Sequence, residues 1–467
     1  VKYSLSMTEN QHQTIKRALI HPDGLERVVW ALCGKAESQG VTRYMIHSIS
    51  PLPADAYIQN KKDRVIWKTE FVIPLIEAAE KSNLALLKIH NHPKGFENFS
   101  DVDDISDREI SSVISDWSDA GLDFISCIIT TEGKVVGRTV DHDGASNILS
   151  HVMVVGSDLV IFEKWENVVP TFAERNIQAF GEKTYRVMRN ICVGVVGCSG
   201  TGSQIIEQLV RLGVGKIVLV DFDIMEEKNL NRITNTTMQD AIDGRRKVDA
   251  LKEKILDLGL GTEVVSIPCN IQTVEAVTEL SVCDIVFGCL DTKGGRHTLN
   301  RLASYYLQPY FDVGVRLDAD GQGGVDGVHA SINYTTPGCK SLIHRGIFTM
   351  EDIRAENKYF EDPEGYAEEL GRGYVKGVDV GRPAVIPVNA MAAGIAVLDL
   401  LSRLHDFRSI PNDEIDKILI SISGEILSYE EVSEVENDIF VKVVGRGNCD
   451  PLLGMPSITK GAPDEIS

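Results

Sequence analysis

Residues 90–103 read His-Asn-His-Pro-Lys-Gly-Phe-Glu-Asn-Phe-Ser-Asp-Val-Asp and gather three metal-ligand side chains beside the start of a helix. His90 and His92 end an apolar, β-compatible run, Leu84 to Ile89, so alternation along a strand sends both imidazoles to one face as a chelating pair. Asp103 lies eleven residues after His92 and three after Ser100, a loop long enough to bring its carboxylate back toward the imidazoles. An N, N, O set leaves a fourth tetrahedral position for water, the pattern of a catalytic rather than a structural zinc. Ser100-x-x-Asp103 reads equally as a capping box, in which hydroxyl and carboxylate satisfy free amides at a helix start.

A different chemistry follows further along. Ile191 to Val196 is a β-branched run, Gly197-Cys198-Ser199-Gly200-Thr201-Gly202-Ser203 a glycine-rich turn, the segment to Leu212 a helix, and Lys216 to Asp223 a second strand with an acidic end. Such a βαβ unit lets backbone N–H groups approach a phosphate at the helix N-terminus and places Asp221 to accept from ribose hydroxyls. The spacing is G-x-x-G-x-G, not the G-x-G-x-x-G of dinucleotide enzymes, which disfavours an NAD-dependent oxidoreductase. Asn229, Arg232 and Lys247 come after the acidic end, and Asp291 closes another apolar strand, Asp284 to Asp291. Beside a triphosphate, Arg and Lys offset charge developing in nucleotidyl transfer, and a carboxylate holds Mg²⁺. Hydride transfer needs neither.

The string H-x-H-P-x6-S-x2-D from His90 to Asp103 resembles the signature of the JAB/MPN (JAMM) metallopeptidases, zinc isopeptidases that cut after the C-terminal glycine of ubiquitin-like proteins. The resemblance implies that His90, His92 and Asp103 hold Zn²⁺, that Ser100 helps stabilise the oxyanion, and that an upstream glutamate activates the metal-bound water. Glu26, just before the apolar run Val28 to Gly34, stands where the family places that base; a solvated charge at a strand entry is the competing reading, and Glu70 is the reserve. The second set, in its order, resembles the ThiF/MoeB/HesA family and the adenylation domain of ubiquitin-activating enzymes over roughly residues 170 to 405. That implies ATP-dependent adenylation of a ubiquitin-like C-terminus, with Gly197, Gly200, Gly202, Asp221, Asp223, Asn229, Arg232, Lys247 and Asp291 (on Mg²⁺) at matching positions. Arg175 matches an arginine that, in homodimeric members, reaches into the partner's ATP site; Gly314 and the segment Pro383 to Asn389, read as a strand leading into a helix Ala390 to Leu404, continue the pattern.

The cysteines depart from it. Many members close a structural zinc with two Cys-x-x-Cys pairs, whereas Cys339 and Cys449 each lack a partner two residues on. Cys339 precedes a polar, acidic stretch from about Thr349 to Gly381, the family's crossing loop, which makes it a candidate thioester nucleophile or the remaining half of a lost metal site.

The expected fold is α/β: a JAB/MPN α/β domain over 1–165, then a doubly wound Rossmann-like adenylation domain over 166–467 with a strand-rich tail, Lys417 to Ser423 and Asp438 to Val444. The joint, Glu163 to Glu174, is placed by the motifs, since no Gly/Pro-rich linker marks it. A formal charge of −21, from 68 acidic and 47 basic residues without a dense basic run, argues against a nucleic-acid partner. Nine scattered cysteines and a polar N-terminus without a secretory core lead us to expect a cytoplasmic protein, and Ala384 to Leu398 is too short and interrupted to predict a membrane span. The two resemblances together imply a bifunctional enzyme of a bacterial ubiquitin-like pathway, a homodimer acting on a modifier that ends in glycine, with a conjugating enzyme as a candidate partner. Sulfur-carrier activation and a non-enzymatic scaffold are the alternatives.

Overall fold

The computed structural model describes residues 1–118, 121–166, 168–338, 340–372, 384–432 and 438–459. The chain divides into two compact units, the first holding 1–165 with 305–307 and 443–450, the second the remainder.

In chain order the first unit contains β1 (Lys2–Thr8), α1 (Glu9–Leu19), β2 (Val28–Ser38), β3 (Val41–Pro51), β4 (Tyr57–Asn60), β5 (Val65–Trp67), α2 (Ile73–Ser82), β6 (Ala85–His92), α3 (Asp101–Trp117), β7 (Phe124–Thr130), β8 (Val135–Val140), β9 (Ser146–Ile148), β10 (His151–Val155) and β11 (Leu159–Glu163). Nine strands form one mixed sheet, β11-β10-β1-β3-β2-β6-β7-β8-β9, and β4 and β5 pair separately. Period-two alternation divides its apolar residues between two cores. Val29, Ala31 and Cys33 of β2 pack with Leu5, Ile15 and Leu19 on the α1 face. Val28, Trp30 and Leu32 pack with Ile76 of α2 and Ile114 of α3 on the other. The same division runs along β6: Leu87 and Ile89 join the first core and Leu86 the second, which leaves Lys88, His90 and His92 on the face of Leu86. The stretch Phe124 to Val140 is a hairpin because Gly133, at φ 88°, turns the chain between β7 and β8.

The second unit contains α4 (Glu174–Asn190), β12 (Cys192–Val196), α5 (Gly200–Arg211), β13 (Lys216–Val220), α6 (Met238–Ile242), α7 (Lys247–Leu258), β14 (Glu263–Ile267), α8 (Val274–Ser281), β15 (Ile285–Gly288), α9 (Lys293–Tyr305), β16 (Tyr310–Ala319), β17 (Val325–Thr335), α10 (Met350–Glu361), α11 (Pro363–Gly371), α12 (Ile386–Leu404), β18 (Lys417–Ser421) and β19 (Ile426–Glu430). Its eight-stranded sheet runs β14-β13-β12-β15-β16-β17-β18-β19; the first five strands are parallel and the last three antiparallel. Chain order reverses between β12 and β15, the switch point where such sheets open a crevice at their carboxyl ends.

Three expectations change here. The segment read as a strand up to Asn389 is helical from Ile386, with Pro387 in the first turn, where its missing N–H costs nothing; Pro383 lies outside the described residues. Asp438 to Val444 forms no strand: the Asp438 carboxylate accepts from the Phe440 and Ser341 amides, and the chain closes into a single 3-10 turn at Val441–Val443. The acidic stretch after Thr349 is helical up to Gly371, with a Thr349/Asp352 capping box starting α10 and Asp362 capping α11. Among the described residues α12 alone is long and apolar enough to cross a membrane, and 61 % of it is buried, packed against α5, β16 and β17.

Candidate active sites

In the first unit the end of β6 meets the start of α3. His90 Nε2 lies 2.9 Å from Asp103 Oδ1, His92 Nε2 lies 3.4 Å from Asp103 Oδ2, and the two Nε2 atoms are 3.1 Å apart. The capping box is present as well: the Ser100 amide and hydroxyl each donate to Asp103 Oδ2 at 2.7 Å, and the Asp103 amide donates back to Ser100 Oγ at 3.3 Å. The two readings of Ser100 and Asp103 are therefore compatible, since one carboxylate presents an oxygen to the helix cap and the other to His90. Burial works against charge on both rings; it wins at His90, whose pKa falls, while at His92 the Asp103 carboxylate outweighs it and the pKa rises. Burial, which lowers the imidazoles, would raise Asp103, but the two imidazoles hold it well below the usual carboxylate range.

The cluster fits a tetrahedral cation. Donors at about 2.0–2.1 Å from zinc stand about 3.3–3.4 Å from one another, and His90 Nε2 lies slightly closer than that to both His92 Nε2, at 3.1 Å, and Asp103 Oδ1, at 2.9 Å. His92 Nδ1 meets the Phe96 carbonyl at 2.9 Å, a contact that, with the proton on Nδ1, leaves the Nε2 lone pair aimed into the cluster. Among the described residues, these three form the one group of His, Cys, Asp and Glu side chains able to share an ion.

Glu26 sits just before β2, its amide donating to the Lys61 carbonyl at 2.8 Å. Its pKa is pushed up to about 7, first by burial, with His92 pulling it down and Asp103 and Asp63 pushing it further up. It thus feels the charges of the cluster. Glu70, the reserve, is 69 % exposed in a one-turn 3-10 helix beside Lys68. Two features escaped sequence reasoning. Asn91, between the histidines, accepts from the Arg27 amide at 2.6 Å and donates to the Leu25 carbonyl at 3.1 Å, tying the Glu26 segment to the end of β6. Lys88, two residues before His90, is buried with Asp107 of α3, which also receives Arg138 at 2.6 Å and Ser126 at 3.0 Å. That network holds α3, and so Asp103, against the sheet. A cleft of about 250 Å³ adjoins the start of α3, lined by Glu97, Phe99, Asp104, Arg138, Ile148 and Phe162.

In the second unit the glycine-rich turn joins β12 to α5. A Cβ on Gly202 would stand 1.9 Å from the Gly197 carbonyl oxygen, and one on Gly197, at φ 87°, would stand 2.5 Å from the Cys289 carbonyl. A Cβ on Gly200 would meet Asn389 Nδ2 at 2.4 Å and Arg232 Cδ at 3.2 Å, so Arg232 lies over the turn. Gly314, by contrast, faces only ordinary contact at 3.4 Å from Ser331 Oγ. Ser199 makes no side-chain cap, and the first amides of α5 open on the turn. Asp221 accepts from the Cys198 amide at 2.7 Å and from the Asp223 amide at 2.9 Å. It thereby fastens the turn to the end of β13, a duty sequence reasoning did not assign, and its pKa is raised, chiefly by burial. Lys247, at the first position of α7 and 5 % exposed, pairs with Asp223 at 2.5 Å. Asn229 is buried and accepts from the Glu226 amide at 3.0 Å. Asp291 is exposed beyond β15, after Leu290, whose side chain borders Gly197. Arg175 is exposed in the first turn of α4 and donates to Gln178 at 2.8 Å. Cys339 lies outside the described residues, and Cys449 is half-buried.

The ThiF family profile matches residues 173–436, more than half of the chain, and this protein belongs to that family. It is similar to the ubiquitin-like modifier-activating enzyme 5 of Arabidopsis thaliana, 29 % identical over 151 residues that cover 29 % of this chain and 34 % of that protein. The enzyme of the same name from Culex quinquefasciatus is 29 % identical over 34 % of this chain and 40 % of its own length. The adenylyltransferase and sulfurtransferase UBA4 of Meyerozyma guilliermondii is 30 % identical over 31 % of this chain and 34 % of its own length. The chain thus spans between a third and two fifths of these relatives. Among solved structures, E. coli MccB with MccA-N7isoASN is 18 % identical with a TM-score of 0.46, covering 58 % of this chain and 75 % of that one.

Proposed function

We propose that the second unit activates a ubiquitin-like protein by ATP-dependent adenylation of its C-terminal glycine. The observation that carries this reading is the close-packed turn Gly197–Gly202 with Arg232 over it, and Lys247 nearby, at the switch point of a parallel sheet. Free amides of α5 bind phosphate, Arg232 and Lys247 balance charge as the carboxylate oxygen attacks the α-phosphorus, and pyrophosphate leaves. Asp291 would hold the Mg²⁺ of the nucleotide. Arg175 would serve the ATP site of a second copy in a homodimer. Cys339 would be the thiol of a thioester passed to a conjugating enzyme.

For the first unit the proposal is a JAB/MPN-type zinc peptidase, domain 1–165, that trims or removes the same modifier in the cytoplasm of a bacterium. His90, His92 and Asp103 would hold zinc, which would supply Lewis acidity to a bound water and to the scissile carbonyl. Glu26 would take a proton from the attacking water and return it to the leaving amine. Ser100 Oγ, which donates to Asp103 Oδ2 at 2.7 Å, would redirect that proton to the developing oxyanion as a neutral donor. A sulfur-carrier pathway is the second reading, favoured by the similarity to the adenylyltransferase and sulfurtransferase UBA4 of Meyerozyma guilliermondii.

One preparation tests both halves. The wild type is expected to carry about one zinc per chain and to bind Mg-ATP. Replacing His90 and His92 with Ala should remove the zinc and spare ATP binding, whereas Lys247→Ala with Arg232→Ala should do the reverse. Zinc retained by the double histidine variant refutes the peptidase assignment; unchanged ATP affinity in the other refutes adenylation.

A further inference from the structure

Cys192, the first residue of β12, and Cys283, in the turn leading to β15, bring their sulfurs to 3.6 Å. The segments are locked together around them: the Asp284 amide donates to the Cys192 carbonyl at 2.8 Å, and the Cys192 amide donates to the Asp284 carboxylate at 2.9 Å. Gly194 lies beside the second thiol: a Cβ there would press on Leu280 Cδ2 at 2.6 Å and stand at ordinary contact, 3.4 Å, from Cys283 Sγ. Cys192 is half-buried and Cys283 fully buried, so Cys192 is the more accessible of the two. Both lie at the amino ends of the central strands, opposite the glycine-rich turn.

We propose that Cys192 and Cys283 form a peroxide-responsive thiol pair that closes to a reversible disulfide. The Cys192 thiolate attacks the O–O bond of a hydroperoxide, giving a sulfenic acid at Cys192 and releasing an alcohol or water. The Cys283 thiolate then attacks that sulfur and expels hydroxide, which leaves as water with the proton lost from a thiol; two thiols and one hydroperoxide give one disulfide, water and the reduced peroxide. A disulfide needs about 2.05 Å between sulfurs, so closure asks the two sulfurs to approach by about 1.5 Å. The product joins residues 91 apart in sequence and links the strands flanking the switch point.

The test treats the full chain with hydrogen peroxide, blocks remaining thiols and maps peptides by mass spectrometry. A Cys192–Cys283 linked peptide, 2 Da lighter than its parts and opened by dithiothreitol, is expected, together with a higher thermal midpoint for the oxidised protein. Cys283→Ser should instead trap sulfenic acid at Cys192 as a dimedone adduct. Wild-type protein in which Cys192 runs to sulfinic acid, or in which both thiols stay alkylatable after peroxide, overturns the proposal.

Discussion

Asp107 and Lys88 are 1 % and 3 % exposed, and replacing either one tests how α3 is held. The two replacements should not cost the same. Asp107→Asn leaves the Lys88 ammonium buried without a counter-charge, the situation in which a broken buried pair costs about 3–5 kcal/mol. Lys88→Met leaves Asp107 with Arg138 at 2.6 and 3.1 Å and Ser126 at 3.0 Å. It removes one charge-assisted hydrogen bond, worth about 1.5–3 kcal/mol. All four tryptophans, Trp30, Trp67, Trp117 and Trp165, fall within residues 1–165, so tryptophan emission during urea unfolding reports on the first unit alone. With a slope of about 2 kcal/mol per molar, Asp107→Asn should lower the urea midpoint by about 2 M and Lys88→Met by about 1 M. Burial raises the Asp107 pKa, but Lys88 and Arg138 more than offset it and the net shift is downward. A depressed carboxylate stabilises above its unfolded pKa, about 3.9, and loses that contribution as pH falls through the folded value. The deficit of Asp107→Asn should therefore be complete at pH 7 and shrink only below about pH 4. A Lys88→Met midpoint as low as that of Asp107→Asn, or a deficit that shrinks between pH 5 and 7, would refute this account.

Gly202→Ala, whose Cβ would stand 1.9 Å from a carbonyl oxygen, should abolish Mg-ATP binding by calorimetry, while Gly314→Ala, with contact at 3.4 Å, should leave both binding and thermal midpoint nearly unchanged. Glu26 has a folded pKa of about 7, so in metal-free protein its burial costs stability as pH rises from about 4.5 to 7. Glu26→Gln should accordingly be more stable than wild type above pH 7 and equal to it below pH 4.5, and a constant difference across the range would count against the placement. Asn91→Ala should leave zinc content intact but cut peptidase turnover by about tenfold or more, because it unties the Leu25–Arg27 segment; unchanged turnover would show that Glu26 needs no such tether.

Local pattern made a good part of this legible. Alternation alone predicts that His90 and His92 share a face, and the glycine spacing with its flanking β-branched runs marks β12, α5 and β13. What sequence conceals is long-range pairing. Lys88 sits inside an apolar run, and nothing near it in sequence announces that Asp107 and Arg138 neutralise it. Asp221 looks free for a ribose, yet two backbone amides already occupy it because the turn returns past the end of β13. Val385 to Asn389 is rich in β-branched residues, but Pro387 fits a first helical turn and packing against α5 rewards the helix.

Along the strand β6, Leu87 and Ile89 enter the core under α1, while Lys88, His90 and His92 share the other face with Leu86 of the second core. A substitution at Leu87 or Ile89 disturbs the first core and spares the face of the histidines. An insertion or deletion of a single residue spares neither, because it would turn Leu87 and Ile89 toward the cluster and drive His90 and His92 into the apolar layer under α1. Length between Ala85 and His92 should therefore be far less tolerant than identity, and a scan of single-codon deletions would find foldability and metal binding lost together at the same eight positions.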